Sequence, residues 1–235
     1  MRNSFSTDSA SFDEYATEYD LALHQGLSVT GEDKLYFARG RIDWLARCLR
    51  QLGEHPETAM DFGCGTGSSV RYLLELIGSQ SVLGLDVSDK SLEVARRESD
   101  PQRSRFVLLQ KYEPKAEIDL AFCNGVFHHV PVAKRPTTMA YIYNSLRAGG
   151  LFALWENNPW NPGTRYVMSR IPFDRDAITL SAPEARRLAR AAGFEILRTD
   201  FLFIFPKPLH WLRGLEPLLA RTPLGAQYQV LCRKP

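Results

Sequence analysis

Two hydrophobic periods alternate along this chain. Over 33–52 the apolar residues Leu35, Phe37, Ile42, Leu45, Cys48, Leu49 and Leu52 recur at the spacing of one helical face. The stretch 58–62 is instead a short apolar run, read as a buried strand. The switch then repeats. Helices are expected over 68–77, 88–97 and 134–146, and strands over 81–86, 106–109, 118–123 and 151–155. Gly78 and the Gly149-Gly150 pair read as helix terminators, and Ser88 as the N-cap of the helix behind it.

Strands separated by helices imply right-handed crossovers and a mostly parallel sheet. The last third reads differently. A helix over 183–192 opens on Pro183 and closes at Gly193, and two apolar runs, "FEILRTDFLFIF" and "AQYQVLC", follow. Only a segment with Pro206, Pro208, Pro217 and Pro223 joins these runs, so they are expected to pair antiparallel. The expectation is an α/β, doubly wound, seven-stranded, mostly parallel sheet with the last strand antiparallel. It forms one domain over 1–235, with an N-terminal cap segment over 1–30 and a long irregular lid or acceptor loop over 157–180.

Composition narrows the function classes. The 235 residues are 44% hydrophobic, enough for one α/β core. Twenty-nine basic residues stand against 27 acidic ones, net +2, and no basic run calls for a nucleic acid partner. The polar, acidic N-terminus lacks the apolar core of a secretory signal, and no apolar stretch is long enough to span a membrane. Cys48, Cys64, Cys123 and Cys232 are scattered without ligand spacing. They suggest a reducing cytoplasm and no metal site.

The candidate chemistry begins at "MDFGCGTGSSV", residues 60–70. Gly63, Gly65 and Gly67 fall where a parallel strand turns into a helix, the place where backbone must approach a ligand closely. Free N–H groups at the helix start favour a nucleotide-like ligand. Asp86, at the next strand end, can accept hydrogen bonds from a ribose diol. The third glycine comes one position too early for the dinucleotide fingerprint.

With "DFGCGTG", "GLDVS", "IDLAFCNGVFHHVP", "LRAGGLFAL" and "LARAAGF", the chain resembles the class I S-adenosylmethionine-dependent methyltransferases. The similarity is greatest to their small-molecule, quinone-biosynthesis-like members. It implies a Rossmann-like fold, S-adenosylmethionine as cofactor with S-adenosylhomocysteine as product, and a small-molecule acceptor. It sets Gly63, Cys64, Gly65 and Gly67 against the methionyl and ribose parts, with Cys64 present as a small residue that fits. It gives Asp86 to the ribose, Val87 to the adenine, and Asn124 and Asp61 to the methionyl amine. The N-terminal "FDEYATEYD" adds Tyr19 as a cofactor contact. Arg39 and Arg41 precede the first strand and are expected at the surface, the alternative being that one of them pairs with the methionyl carboxylate.

The chain departs from the family pattern in two places. No acid follows the third strand, so Gln110 or a backbone carbonyl stands where adenine is met. The Asn-Pro-Pro-Tyr type tetrad of amino-group enzymes is also missing, "CNGV" taking its place. That absence, with His129 as a candidate base, favours a hydroxyl oxygen as acceptor. Glu156, at the end of the fifth strand, is the second catalytic candidate. Trp160, Tyr166, Phe173, Arg165 and Arg170 suit an acceptor pocket. Phe203, Phe205 and Trp211 suit either its far wall or a homodimer contact. The alternatives are an RNA or protein methyltransferase, or a cofactor-binding scaffold without chemistry.

Overall fold

The computed structural model describes residues 31–171 and 177–235. The expected helix near 12–19 and Tyr19 lie outside the described residues. The first helix, α1 (Lys34–Leu52), begins where the Asp33 carboxylate accepts the Tyr36 N–H at 2.7 Å, and ends at Gly53 with φ +70°. A helical turn α2 (Val70–Tyr72) runs on as a π-helical turn, Leu73–Ile77, and closes at Gly78. Helices α3 (Asp89–Glu98), α4 (Arg135–Ser145), α5 (Pro162–Arg170), α6 (Ala182–Ala191) and α7 (Glu216–Leu219) follow.

The strands are β1 (Thr58–Phe62), β2 (Ser81–Asp86), β3 (Ser104–Leu108), β4 (Ile118–Asn124), β5 (Leu146–Asn157), β6 (Glu195–Leu202) and β7 (Gln227–Arg233). They form one seven-stranded sheet in the order β3-β2-β1-β4-β5-β7-β6. Pairing is parallel from β3 through β5, and β7 runs antiparallel to both its neighbours. This is the expected doubly wound sheet with its last strand reversed.

Both faces of the sheet are covered, which is why its strands are apolar without alternation. Along β4, Leu120 and Phe122 pack with Ile42, Leu45 and Leu73 on one face. Ala121 and Cys123 pack with Met139, Ile142 and Ala189 on the other. The order reverses at β1, whose neighbours are β2 and β4, so a crevice opens at the carboxyl ends of these strands.

Three expectations change. Gly149-Gly150 does not end a helix. α4 stops at Ser145 and β5 begins at once, and the glycines sit where the β4–β5 register shifts. There Gly149 has φ +76°, and a Cβ on Gly150 would come 3.1 Å from the Ile118 carbonyl oxygen. The stretch after β5 is not wholly irregular, because Asn161 caps the nine-residue helix α5 through a bond to Thr164 N. Strand β6 stops at Leu202, because Phe203 takes φ +61° and breaks the extended chain.

Candidate active site

The glycine loop is built by backbone hydrogen bonds. Gly63 N and Cys64 N both donate to the Leu85 carbonyl, at 2.8 and 3.0 Å, locking the loop to the end of β2. Its glycines have different reasons to be glycine. A Cβ on Gly63 would collide with Val126, and one on Gly67 would come 3.1 Å from the Ala95 Cβ of α3. One on Gly65 would meet nothing within 4 Å, because Gly65 faces a cavity. The first and third glycines allow packing, and the second keeps space open.

That cavity has a volume of about 160 Å³ and is lined by Gly63, Gly65, Asp86, Val87, Leu109 and Asn124, among others. Asp86 is held with both oxygens engaged. Oδ2 accepts Gly65 N at 2.8 Å and Oδ1 accepts Ser88 N at 2.9 Å. Val87, Leu109, Val126 and Val130 supply apolar wall where a flat base would lie. Asn124 Oδ1 is buried and accepts no hydrogen bond from a described residue. An orphan acceptor, an anchored carboxylate and a glycine-rich loop suit an adenosyl group carrying an ammonium.

Not every residue assigned from sequence lines this cavity. Asp61, Cys64 and Gly67 are not among its lining residues. Burial and the neighbouring Asp86 raise the Asp61 carboxyl to about 7, against the opposing pull of Arg41. Burial, with the Asp61 and Asp86 charges, lifts the Cys64 thiol well above its ordinary range, so it rests protonated. Gln110 is exposed and outside the cavity, whereas its neighbour Leu109 is in the wall.

A second, larger cavity of about 440 Å³ adjoins the first. Asn124, Gly125 and His129 line both. Phe37, Tyr166, Met168, Phe203 and Phe205 give the larger one an apolar body, and Lys34, Arg41 and Arg213 oppose Glu32 at its polar parts. Each of these cations is already steered. Lys34 Nζ donates to Thr66 Oγ1 at 2.9 Å, Arg41 Nη1 to Gln227 Oε1 at 2.9 Å, and Arg213 pairs with Glu32 at 2.9 Å. Arg41 is therefore buried at the site and is not the surface residue expected from sequence.

The two histidines take different places. His128 is buried and lines only the larger cavity, and its Nδ1 lies 2.6 Å from Glu156 Oε2. The other Glu156 oxygen accepts Phe127 N at 2.7 Å. Glu156 lines neither cavity and reaches the site only through His128. Sequence reasoning ranked His128 below His129. The signal for this pair was Glu156 at the strand end, but only the sheet shows that it meets the 127–128 turn. Lys34 and Arg213 were also missed, being hydrophilic residues with no motif around them, and so was Thr66, although it lies inside the glycine motif.

Comparison with known proteins agrees with this geometry. A family model described as "Methyltransferase domain" matches residues 60–152. A trans-aconitate 2-methyltransferase of Rhizobium etli is 35% identical over 192 residues, covering 72% of this chain and 73% of the relative. One from Rhodopseudomonas palustris is 26% identical over 169 residues, covering 72% of this chain but only 60% of that relative's length. An S-adenosylmethionine-dependent methyltransferase structure from Mesorhizobium loti superposes with a TM-score of 0.58 at 21% identity, over 80% of this chain and 96% of that one. A glycine loop at the reversal of the sheet, an anchored acid one strand away and these relatives agree: the chain belongs to the class I S-adenosylmethionine-dependent methyltransferases.

Proposed function

We propose that this protein moves the methyl group of S-adenosylmethionine to a hydroxyl oxygen of a small anionic molecule held in the 440 Å³ cavity. The observation that carries this is the shared wall. Asn124, Gly125 and His129 border both cavities, so a methyl presented in the smaller one faces an acceptor in the larger. A cavity of this size suits a small molecule better than an RNA or protein chain. Among the described lining residues Lys34, Arg41 and Arg213 outnumber Glu32, which favours a negative charge on the acceptor.

When bound, the cofactor supplies a sulfonium-activated methyl. The protein's part is alignment and proton removal. Gly65 leaves room for the cofactor, Asp86 holds the ribose hydroxyls, Val87 lies beside the base, and Asn124 Oδ1 accepts from the ammonium. His129 closes the wall where the two ligands meet. Glu156 holds the His128 ring through Nδ1, and in this reading His128 is the group that takes the acceptor's proton when the methyl passes from sulfur to oxygen. Holding two reactants in line contributes up to about 7–11 kcal/mol to such a step. Helix α5 walls the acceptor through Thr164, Tyr166 and Met168, in keeping with a role for 157–180 in binding it.

The names of the relatives favour a second reading, a carboxylate oxygen as acceptor, which needs no base. Incubation with S-adenosylmethionine and a panel of small hydroxylated and plain carboxylic acids separates the two. Mass spectrometry follows methylated product, and mild alkali is then applied. An ether survives alkali and supports the hydroxyl reading, whereas an alkali-labile ester supports the carboxylate reading. Binding of S-adenosylhomocysteine without turnover on any member would favour a scaffold.

A further inference from the structure

The segment joining β6 to β7 is built inside out. It comprises a 3₁₀ stretch, Lys207–Leu215, running into α7. Its central charged side chains turn inward. Arg213 donates to the Phe205 carbonyl at 3.1 Å, pairs with Glu32 and covers the Tyr36 ring at 4.7 Å. The Glu216 carboxylate accepts the N–H groups of Phe203, Ile204 and Phe205, at 3.0 to 3.1 Å. The outward positions carry the apolar side chains instead. Trp211, Leu215 and Leu218 recur at helical spacing, with Trp211 71% and Leu218 80% exposed. Leu209 and Leu224 extend the exposed surface. The loop holding exposed Trp160 is tied to the segment by Asn158 Nδ2 to the Pro223 carbonyl and Asn161 Nδ2 to the Leu224 carbonyl.

Among the described residues of this segment the basic side chains outnumber the acidic ones. Glu216 is the only acid between 203 and 226, and its carboxylate is consumed by the backbone. Lys207, His210 and Arg221 are exposed beside the leucines, and Arg221 also pairs with the buried Asp200 carboxylate at 3.5 Å. A soluble surface normally intersperses both signs and keeps large apolar groups apart. Leucine and tryptophan flanked, among the described residues of this segment, by Lys207 and Arg221 and by no exposed acid match a surface with an apolar interior and anionic headgroups.

We propose that residues 207–224 dock this protein onto an anionic lipid surface, Trp211 and Leu218 entering the headgroup boundary and Lys207, His210 and Arg221 meeting lipid phosphates. Phe203, Phe205, Pro206 and Arg213 of the same region line the larger cavity, so docking sets that cavity beside the lipid. The proposal does not depend on which oxygen is methylated.

The test is co-sedimentation of the full chain with vesicles of phosphatidylcholine alone and of an equimolar mixture with phosphatidylglycerol. Binding is expected to the mixed vesicles only, weakening as salt rises. The double variant Trp211→Ser with Leu218→Ser, unchanged in melting temperature, is expected to bind roughly tenfold or more weakly. Brominated lipid gives a readout on the unaltered protein. Trp44 and Trp155 are buried, so quenching must come from Trp160 and Trp211. No sedimentation with mixed vesicles, or sedimentation without quenching, overturns the proposal. So does a dimer on sizing columns that the double variant dissolves while lipid binding stays absent, which would give the face to a second copy of this chain.

Discussion

Nδ1 of His128 lies 2.6 Å from Oε2 of Glu156, with the two side chains 3% and 1% exposed. A carboxylate so buried needs partners for both oxygens, and Phe127 N supplies the other. The pair sits between the end of β5 and the turn after β4, so its geometry is set by the parallel β4–β5 pairing that joins Asn124 to Trp155. Glu156→Gln keeps the shape but offers an amide where a carboxylate received the imidazole N–H. The turnover rate is expected to fall about 10²-fold or more, with calorimetric cofactor affinity unchanged. His128→Ala is expected to cost at least as much, and the double variant little more than either, as for groups acting as one unit. Single-turnover rates check this. An unaltered rate in Glu156→Gln would remove the base and leave the carboxylate acceptor.

The glycines divide into two that packing requires and one, Gly65, that opens onto the cavity. Gly63→Ala drives a methyl into Val126 at φ +74° and is expected to lower the melting temperature clearly. Gly65→Ala meets nothing, so it costs only left-handed backbone strain, about 1–2 kcal/mol. Its methyl nevertheless projects into the 160 Å³ cavity. The expected result is a protein that stays folded yet loses S-adenosylhomocysteine binding. Thermal melts with and without ligand would show both, and a normal ligand shift in Gly65→Ala would move the cofactor elsewhere.

Asp86 does two jobs, and two substitutions separate them. Its carboxylate accepts Gly65 N and Ser88 N, so it organises the loop and also presents charge to the cavity. Asp86→Ala is expected to weaken cofactor binding at least tenfold, in line with about 1.5–3 kcal/mol for a hydrogen bond to a charged group. Asp86→Asn keeps one carbonyl oxygen for the backbone and is expected to fall between Ala and the parent. Equal affinity for all three by calorimetry would detach Asp86 from the cofactor.

The elements whose burial follows from local pattern were legible in the sequence. The strands 58–62 and 81–86 were read at the bounds the structure shows, because each is a short apolar run closed by turn chemistry. The reading failed where tertiary contact decides. Gly149-Gly150 has the composition of a helix stop, but the β4–β5 register shift uses it. Arg41 has the sequence look of a solvated helix face, yet it is buried against Gln227 of β7, a partner 186 residues away. Helix α5 was hidden by prolines and asparagines that read as a loop, though Asn161 and Pro162 are its cap and first residue. Position in the sheet made the glycine loop and Asp86 readable as a site. The acceptor side was not readable, because its walls come from α1, α5 and the 203–213 segment, which meet only in three dimensions.

Asp61 predicts how the site responds to pH. Its carboxyl titrates near 3.8 when unfolded and is raised to about 7 in the fold, chiefly by burial and then by Asp86, with Arg41 opposing. Between those values the folded protein keeps a proton that the unfolded chain has released. Stability therefore falls as pH rises through this window and levels off above about 7, by up to about 4 kcal/mol. In Asp61→Asn no proton is at stake there, so its melting temperature is expected to stay flatter across the window. Ligand binding gives the opposite slope. The cofactor would bring a sulfonium and an ammonium into the cavity that Gly65 faces, and both favour the ionised carboxylate. Binding below about pH 7 must then release a proton, and affinity is expected to rise with pH, up to about tenfold per pH unit, before levelling off. S-adenosylhomocysteine lacks the sulfonium charge and is expected to show the smaller rise. Calorimetry in buffers of different ionisation enthalpy counts the proton directly. A proton count of zero at about pH 6 would mean that Asp61 does not sense the cofactor, and that its burial beside Arg41 serves the fold alone.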